Sequence, residues 1–275
     1  MLERLKRRFA QLKPQEAVVA VSVEEAPVLL PVGLIDMARS GWLKNDSGEL
    51  FAGFAVKASD SLLDIGCGDG GFTLFCGRQG AEIYVADIDE GNVERAVARL
   101  RETDARAVHP LVTDANPIPL PDAHLDKVVA MEVLEHVDDP ATFLAELVRV
   151  GKPGAQYLIS VPAALSERSQ QGIASPAYFQ KPNHIHIFER EEFARLVSEA
   201  GLVIEQHTEY GFYRTLWWLF FWVSGQSSLD GQNEAIIRHW DATWAELLSL
   251  PQGDAVKQVL DGILPKSQII VARKK

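Results

Sequence analysis

The sequence predicts an α/β protein with a mostly parallel β-sheet. From residue 59 to residue 207, short apolar segments of strand length alternate with segments in which apolar residues recur at helical spacing. Strands that alternate with helices form βαβ units, and these units build parallel sheets. One further apolar strand, at residues 268–272, stands alone at the end of the chain after a segment rich in aromatic residues. The sequence therefore predicts one α/β core with a long insertion before its last strand.

Each element of this core follows from a local pattern. One helix carries Val93, Val97 and Leu100 on a single face, and Gly201 ends the helix before the sixth strand. Helices are expected at residues 72–78, 92–101, 140–150 and 190–200. Strands are expected at residues 61–65, 82–87, 108–112, 127–131, 156–161, 202–207 and 268–272.

The chain is expected to divide into four segments. These are an N-terminal helical arm at residues 1–58, the core at 59–207, a cap insertion at 208–266 and the final core strand at 267–275. In the arm, residues 34–38 and 50–56 are expected to form short helical pieces. In the cap, a helix is expected at about residues 233–248, because its apolar residues share one face.

Composition narrows the classes of function. The chain has 275 residues, 47% hydrophobic and 24% charged, as in ordinary globular proteins. Its net charge of −11 makes a nucleic acid an unexpected partner, because phosphate backbones are repelled. The two cysteines are too few for a disulfide framework, and no apolar run reaches the ~20 residues of a membrane span. For these two reasons we expect a cytoplasmic protein. The basic segment at residues 1–13 is interpreted as a surface helix, with peripheral membrane contact as the alternative.

A glycine-rich loop follows the first core strand. Gly66, Gly68 and Gly71 match the pattern G-x-G-x-x-G, which permits a sharp turn and leaves peptide N–H groups at the start of a helix. A purely structural turn is the alternative. Asp87 ends the next strand, about 20 residues further on, where a carboxylate can bind both hydroxyls of a ribose. Asp64 stands just before the loop, where an NAD-binding fold normally has an apolar residue, and so favours a different adenosine cofactor.

Further motifs follow in a fixed order along the chain. They are Thr113-Asp114-Ala115, Ile118-Pro119-Leu120-Pro121, Met131-Glu132-Val133-Leu134-Glu135-His136 and Gly151-Lys152-Pro153-Gly154. With this ordering the sequence resembles the class I S-adenosylmethionine-dependent methyltransferases, in the subgroup of ubiquinone-type and small-molecule enzymes. The resemblance covers residues 59–207 and the final strand. It implies a Rossmann-like, seven-stranded, mostly parallel sheet with an antiparallel last strand, and S-adenosylmethionine as the cofactor.

The resemblance also implies which residues contact this cofactor. Asp87 is expected at the ribose hydroxyls, Asp114 and Ile88 at the adenine, and Asp64 and Met131 at the methionine part. The full expected set is Asp64, Gly66, Cys67, Gly68, Asp87, Ile88, Asp114, Ala115 and Met131.

Two clusters of acidic residues and histidines follow the fourth strand. Glu132, Glu135 and His136 form the pattern E-x-x-E-H, and His184 precedes the next helix. In a subset of the family, residues at these positions bind a divalent metal. Glu132, Glu135, His136 and His184 are thus candidate ligands for Mg, Mn or Zn, which would lower the pKa of a bound hydroxyl. The alternative is that His136 or His184 acts as the catalytic base without a metal.

The aromatic insertion supplies candidate contacts for the methyl acceptor. Tyr210, Tyr213 and Arg214 open this segment, although a buried structural helix is the alternative interpretation. The expected reaction is O-methylation of a hydroxyl on a small molecule, a sugar or a lipid-linked compound. The alternatives are C- or N-methylation of a quinone-like or aromatic acceptor, an NAD-dependent oxidoreductase, and a binding domain without catalysis.

Overall fold

The computed structural model of the protein describes residues 31–225 and 235–275, so the segment at residues 1–13 lies outside the described residues. A small antiparallel sheet contains β1 Trp42–Lys44, β2 Glu49–Phe51 and β3 Phe54–Ala55. The main sheet contains seven strands, which are β4 Ser61–Ile65, β5 Glu82–Asp87, β6 Ala107–Val112, β7 Leu125–Met131, β8 Gly151–Pro162, β9 Leu202–Tyr210 and β10 Ser267–Lys274.

The strands of the main sheet lie in the order β6-β5-β4-β7-β8-β10-β9. Strands β4 to β8 pair in parallel, and every residue of the central strand β4 is buried because both faces of the sheet are covered. Strand β10 runs antiparallel to both β8 and β9, with Ile270 opposite Ile159 and His207. This arrangement confirms the predicted sheet, including its antiparallel last strand.

Helices cover the two faces of the main sheet. They are α2 Thr73–Arg78, α3 Glu90–Leu100, α4 Pro140–Val150 and α6 Arg190–Glu199. Helices α4 and α6 bury apolar side chains on one face, and α2 and α3 do so on the other together with the small sheet. Helix α4 begins where it does because the Asp139 side chain accepts hydrogen bonds from the N–H groups of Ala141 and Thr142.

The helical prediction for residues 50–56 is wrong. Leu50 and Phe51 lie in β2 and Phe54 lies in β3, and all three side chains are buried against the main sheet beside Trp42. The hairpin turns at Gly53, whose φ is +83°. Strands of two or three residues are too short to display an alternating pattern, so the apolar run resembled a helical segment.

The remaining helices form a cap beside the sheet. They are α1 Val32–Arg39, α5 Ala164–Gln170, α7 Phe212–Val223, α8 Ala235–Ser249 and α9 Gly253–Ile263, with a short 3₁₀ helix at Pro176–Phe179. Strand β9 continues to Tyr210, so the cap begins at Gly211 rather than at residue 208. Aromatic side chains of α7 and α8, such as Tyr213, Trp217 and Trp244, form a separate buried cluster. Within the described ranges, no helix combines the length and apolarity needed to cross a membrane.

Candidate active site

The glycine loop lies at the carboxyl end of β4, in the middle of the sheet. Gly66 has a φ of +69°, and a Cβ atom there would lie 2.4 Å from a methyl carbon of Val133, so a side chain is excluded. Gly68 has a φ of +53°, and the space around its Cβ position is open to 4 Å. The loop thus presents backbone next to open space, which is the arrangement that a closely bound ligand requires.

Asp87 lies beside this loop at the end of β5. One carboxylate oxygen accepts a hydrogen bond from the Gly68 N–H at 3.0 Å, and the other accepts one from the Asp89 N–H at 2.9 Å. Asp89 in turn caps α3 by accepting from the Asn92 N–H. The backbone therefore fixes the Asp87 carboxylate, whose remaining lone pairs can accept hydrogen bonds from a diol.

Asp64 is buried at the end of β4. Burial raises its pKa to about 7, although the hydroxyl of Thr73 donates a hydrogen bond to the carboxylate. The nearby charge of Asp87 also raises the pKa of Asp64. A buried carboxylate of this kind favours a cationic group beside it, because a cation offsets the cost of burying the charge.

The other expected cofactor residues surround the same end of the sheet. Ile88 is 75% exposed directly after Asp87, and Asp114 is also exposed, whereas Ala115 is buried. Burial raises the pKa of the Cys67 thiol to about 12, so this cysteine stays protonated and is a packing residue rather than a nucleophile. Met131 ends β7 and lines the neighbouring cavity.

A cavity of about 420 Å³ lies between the end of the sheet and the cap. It is lined by Gly33, Asp36, Met37, Phe72, Met131, Glu132, Tyr178, His184, Tyr210, Gly211, Tyr213, Arg214, Trp218, Lys266 and Ser267. These residues come from α1, the turn before α2, the end of β7, the segment between α5 and α6, the end of β9 with α7, and the start of β10, which are distant in sequence. The volume lies in the range of small-molecule sites.

His184 is the histidine of this cavity whose geometry suits proton transfer. Its Nδ1 atom lies 2.9 Å from a carboxylate oxygen of Glu167, which is fully buried on α5. The Glu167 carboxylate accepts a second hydrogen bond from the hydroxyl of Tyr178. The Tyr178 ring packs on the His184 ring, with 4.3 Å between the ring centres. A proton on Nδ1 leaves the Nε2 lone pair available, and the carboxylate stabilises the imidazolium that forms when Nε2 takes a proton.

His136 and Glu135 lie next to His184. The His136 Nδ1 atom is 3.1 Å from the carbonyl oxygen of Pro182, so Nδ1 carries the proton and Nε2 faces the Glu135 carboxylate at 3.8 Å. The Glu135 side chain is completely buried, and neither of its oxygens has a hydrogen-bond partner among the described residues. Burial, together with the charge of Glu132, raises the pKa of Glu135 well above its usual value.

Glu132 stands apart from this group. One of its carboxylate oxygens accepts a hydrogen bond from the ammonium of Lys266 at 3.0 Å, and the other accepts one from the hydroxyl of Ser160. Burial would lower the pKa of Lys266, but the carboxylates of Glu132 and Glu167 outweigh it and hold that pKa above its usual value. The ligand atoms that lie within 4.8 Å of one another are those of Glu135, His136 and His184, without Glu132.

Three further histidines have structural partners among the described residues. His186 contacts the carbonyl oxygen of Val137, His109 contacts Glu82, and His207 contacts Gln268. Tyr213 lines the cavity with its ring, while its hydroxyl donates a hydrogen bond to Asp241 of α8.

Sequence reasoning missed three residues of the site. Glu167 lies on α5, a short helix that the sequence did not predict, Lys266 directly precedes the last strand, and Tyr178 lies in the 3₁₀ helix. Residues 163–170 contain no recognisable motif. The feature that could have pointed to Glu167 is a charged side chain among the small residues of this segment. Their roles depend on contacts between distant segments.

The order and directions of the seven strands in the main sheet are those of a Rossmann-like class I methyltransferase fold. Comparison with known proteins identifies the family. Residues 39–207 match the family model described as a methyltransferase domain, and the chain belongs to this family. The chain spans about half to three quarters of the length of the first curated relatives that it matches, which are methyltransferases.

Individual relatives agree with this assignment. A ubiquinone biosynthesis O-methyltransferase of Aeromonas salmonicida is 30% identical over 63% of this chain and 73% of its own length. A probable S-adenosylmethionine-dependent methyltransferase of Mycolicibacterium smegmatis is 31% identical over 54% of each chain. The solved structure of a putative sarcosine dimethylglycine methyltransferase from Galdieria sulphuraria covers 80% of both chains with a TM-score of 0.55. Its identity of 19% makes it evidence for the fold alone.

Proposed function

We propose that the protein methylates a hydroxyl of a small molecule that binds in the cavity between the sheet and the cap. The observation that carries this proposal is the His184 ring, which lines the cavity and is hydrogen-bonded through Nδ1 to the buried Glu167. The similarity to a ubiquinone biosynthesis O-methyltransferase also favours a hydroxyl acceptor. C-methylation and N-methylation of an aromatic acceptor are the competing reactions. Identification of the methylated atom in the product by NMR distinguishes O-, C- and N-methylation.

We assign the cofactor side of the reaction to the ends of β4 and β5. Asp87 would bind the ribose hydroxyls, Ile88 and Asp114 would contact the adenine, and Asp64 would lie beside the methionine ammonium. The open space at Gly68 and the raised pKa of Asp64 support this placement. S-Adenosylmethionine, when bound, supplies a methyl group activated by its sulfonium.

His184 would act on the acceptor. As the hydroxyl oxygen forms its bond to the methyl carbon and the carbon–sulfur bond breaks, Nε2 takes the hydroxyl proton. Glu167 holds the ring by its Nδ1 hydrogen bond and offsets the positive charge that develops on it. Apolar lining residues such as Met131 and Trp218 exclude water from the same space. An acceptor found by screening hydroxyl compounds would leave the protein as a methyl ether.

The His184→Gln variant tests this role. Loss of a general base lowers kcat by about 10²- to 10⁴-fold, and the affinity for S-adenosylmethionine stays unchanged because the cofactor contacts lie elsewhere. His239→Gln is the matched control, because His239 is exposed on α8. The measurement is the rate of S-adenosylhomocysteine formation with the screened acceptor. A His184→Gln variant as fast as wild type would contradict the proposal.

A divalent metal is a second candidate for activation of the hydroxyl, and the residues present fit one. Glu135, His136 and His184 would hold it, because a buried carboxylate without a hydrogen-bond partner among the described residues lies beside two imidazoles. Such a cation would lower the pKa of an acceptor hydroxyl. The Glu167 contact to Nδ1 of His184 is also what orients a ligating imidazole.

Calorimetric titration with Mn²⁺ and Zn²⁺ separates the two candidates. If the metal binds, wild type gives a binding isotherm that is lost in Glu135→Gln and kept in the exposed control Glu94→Gln. Absence of binding to wild type would leave His184 as the base. The cytoplasmic location and a lipid-linked acceptor remain predictions of the sequence.

A further inference from the structure

Arg214 is an unusual arginine in the described part of the chain. Some arginines pair with carboxylates, as Arg149 does with Glu146 and Arg273 with Glu205, and others, such as Arg195, are exposed to solvent. Arg214 lies on α7 and lines the cavity, yet among the described residues its guanidinium has neither a carboxylate partner nor a hydrogen bond. A cation at the wall of a binding cavity without such a partner indicates that the ligand supplies one.

The position of the Arg214 guanidinium is fixed by its neighbours. Its central carbon lies 5.0 Å from the ring centre of Trp217 and 5.7 Å from that of Tyr213, and both rings are buried. A Cβ atom on Gly33 of α1 would lie 3.0 Å from an Nη atom of Arg214, so glycine leaves the room that the guanidinium occupies. Contacts with aromatic rings use the face of the guanidinium, whereas its N–H donors lie in its plane and stay available.

The carboxylates that line the cavity already have cationic partners. Asp36 lies 3.3 Å from the buried ammonium of Lys257 and accepts a hydrogen bond from the indole of Trp244. Glu132 is paired with Lys266. Glu167, just outside the lining, is bound to His184 and Tyr178. These pairs leave the charge of Arg214 uncompensated by the cavity wall.

We infer that Arg214 binds an acidic group of the methyl acceptor, either a carboxylate or a phosphate. The inference rests on the proposed function and names its substrate class, which is a hydroxyl compound with an apolar body and an acidic group. The planar guanidinium can bind such a group with two parallel hydrogen bonds. Because the chain has a net charge of −11 and repels anions at long range, it needs a specific cation to select one.

Matched probe molecules test the inference by binding. The probes are 4-hydroxybenzoate, 4-hydroxyphenyl phosphate and the neutral 4-hydroxybenzamide, titrated in the presence of S-adenosylhomocysteine. Their binding is followed by the fluorescence of Trp218, which lines the cavity, and of Trp217 beside Arg214. At least one acidic probe is expected to bind wild type about tenfold or more tightly than the amide, the range of a hydrogen-bonded charge pair. The acid that shows the preference identifies carboxylate or phosphate as the group.

Arg214→Gln is expected to abolish this preference and leave binding of the amide unchanged. Arg214→Met keeps the packing against Trp217 and replaces Arg214→Gln where that variant does not fold. Arg195→Gln, an exposed arginine of α6, is the control and is expected to keep the preference. Equal binding of acid and amide to wild type, or an unchanged preference in both Arg214 variants, would overturn the inference. If the preference is present but no hydroxyl is methylated, the proposed reaction fails while the acid site stands.

Discussion

The two halves of the active site are held together in different ways. The half that we propose for the cofactor, called the cofactor half, consists of turns that directly follow β4 and β5. Backbone N–H groups of Gly68 and Asp89 hold its Asp87 carboxylate. The acceptor half is assembled from several distant segments of the chain. Buried ion pairs connect these segments, such as Lys257 with Asp36 and Lys266 with Glu132. The cofactor half thus depends on local backbone geometry, and the acceptor half depends on side chains that meet only in the folded state.

This difference predicts that the halves respond separately to substitution. A change in a cap ion pair should destabilise the protein and weaken acceptor binding while cofactor affinity is kept. A change at the ends of β4 or β5 should weaken cofactor binding and leave acceptor binding unchanged. Substitutions at Lys257 in the cap and at Asp64 in the cofactor half test this separation.

Lys257→Met should have the largest effect on stability. The Lys257 ammonium is buried, 3.3 Å from Asp36 and 2.5 Å from Asp261, so its loss leaves two buried carboxylates without a cation. The expected decrease in the free energy of unfolding is about 3–5 kcal/mol. Urea denaturation measures it, and calorimetry at a temperature where the variant is folded should give an unchanged affinity for S-adenosylmethionine.

The matched control for this variant is Lys152→Met. Lys152 forms an ion pair with Asp126 at 2.8 Å, but its side chain is 42% exposed and that of Asp126 is 34% exposed. Loss of this exposed ion pair should lower the free energy of unfolding by less than about 1 kcal/mol. Equal losses in the two variants would show that burial does not make the ion pair between α9 and α1 more important than a surface pair.

Asp64→Asn should affect the cofactor half, with a smaller effect on stability. The folded-state pKa of Asp64 is about 7, above its ordinary value of 3.8, so the folded wild type binds more protons than the unfolded chain between these pH values. Its free energy of unfolding therefore falls as the pH rises from about 4 to about 7. The variant lacks this decrease and should be more stable than wild type at pH 8, by about 1–3 kcal/mol.

The same variant should lose affinity for S-adenosylmethionine, because the amide cannot offset the methionine ammonium. Denaturation curves at pH 4.5 and pH 8 and a cofactor titration at pH 8 measure the two effects. Asp104→Asn, at an exposed position, is the control and is expected to change neither the free energy of unfolding nor the affinity for S-adenosylmethionine. A variant that is destabilised at pH 8 and still binds the cofactor like wild type would contradict this role of Asp64.

The same contrast explains how much of the molecule the sequence predicted. Strand β4, the loop from Gly66 and helix α4 depend on residues close together in the chain, so local sequence patterns located them. The cofactor residues follow strand ends, and parallel strands place those ends at one edge of the sheet. The sheet of the described structure confirms that part of the prediction, and the cofactor contacts remain proposals.

The acceptor half was only partly predictable for the opposite reason. His184 was named from the resemblance to a subset of the family, but its partner Glu167 lies on a short helix whose sequence carries no motif. In the sequence, Lys266 is indistinguishable from a surface lysine. Its pairing with Glu132 is visible only in the folded structure. Strands β2 and β3 were missed because their length hides the alternation of buried and exposed residues. Contacts across the chain decide these features, and a single sequence records no such contacts.

The most direct test of the central claim compares cofactor binding with methyl transfer in wild type and His184→Gln. One sample of each protein is titrated with S-adenosylmethionine, and a second is assayed with the screened hydroxyl acceptor. The account predicts equal cofactor affinity for the two proteins and a loss of transfer of at least about 100-fold in the variant. Equal transfer rates, or a wild type that does not bind S-adenosylmethionine, would contradict it.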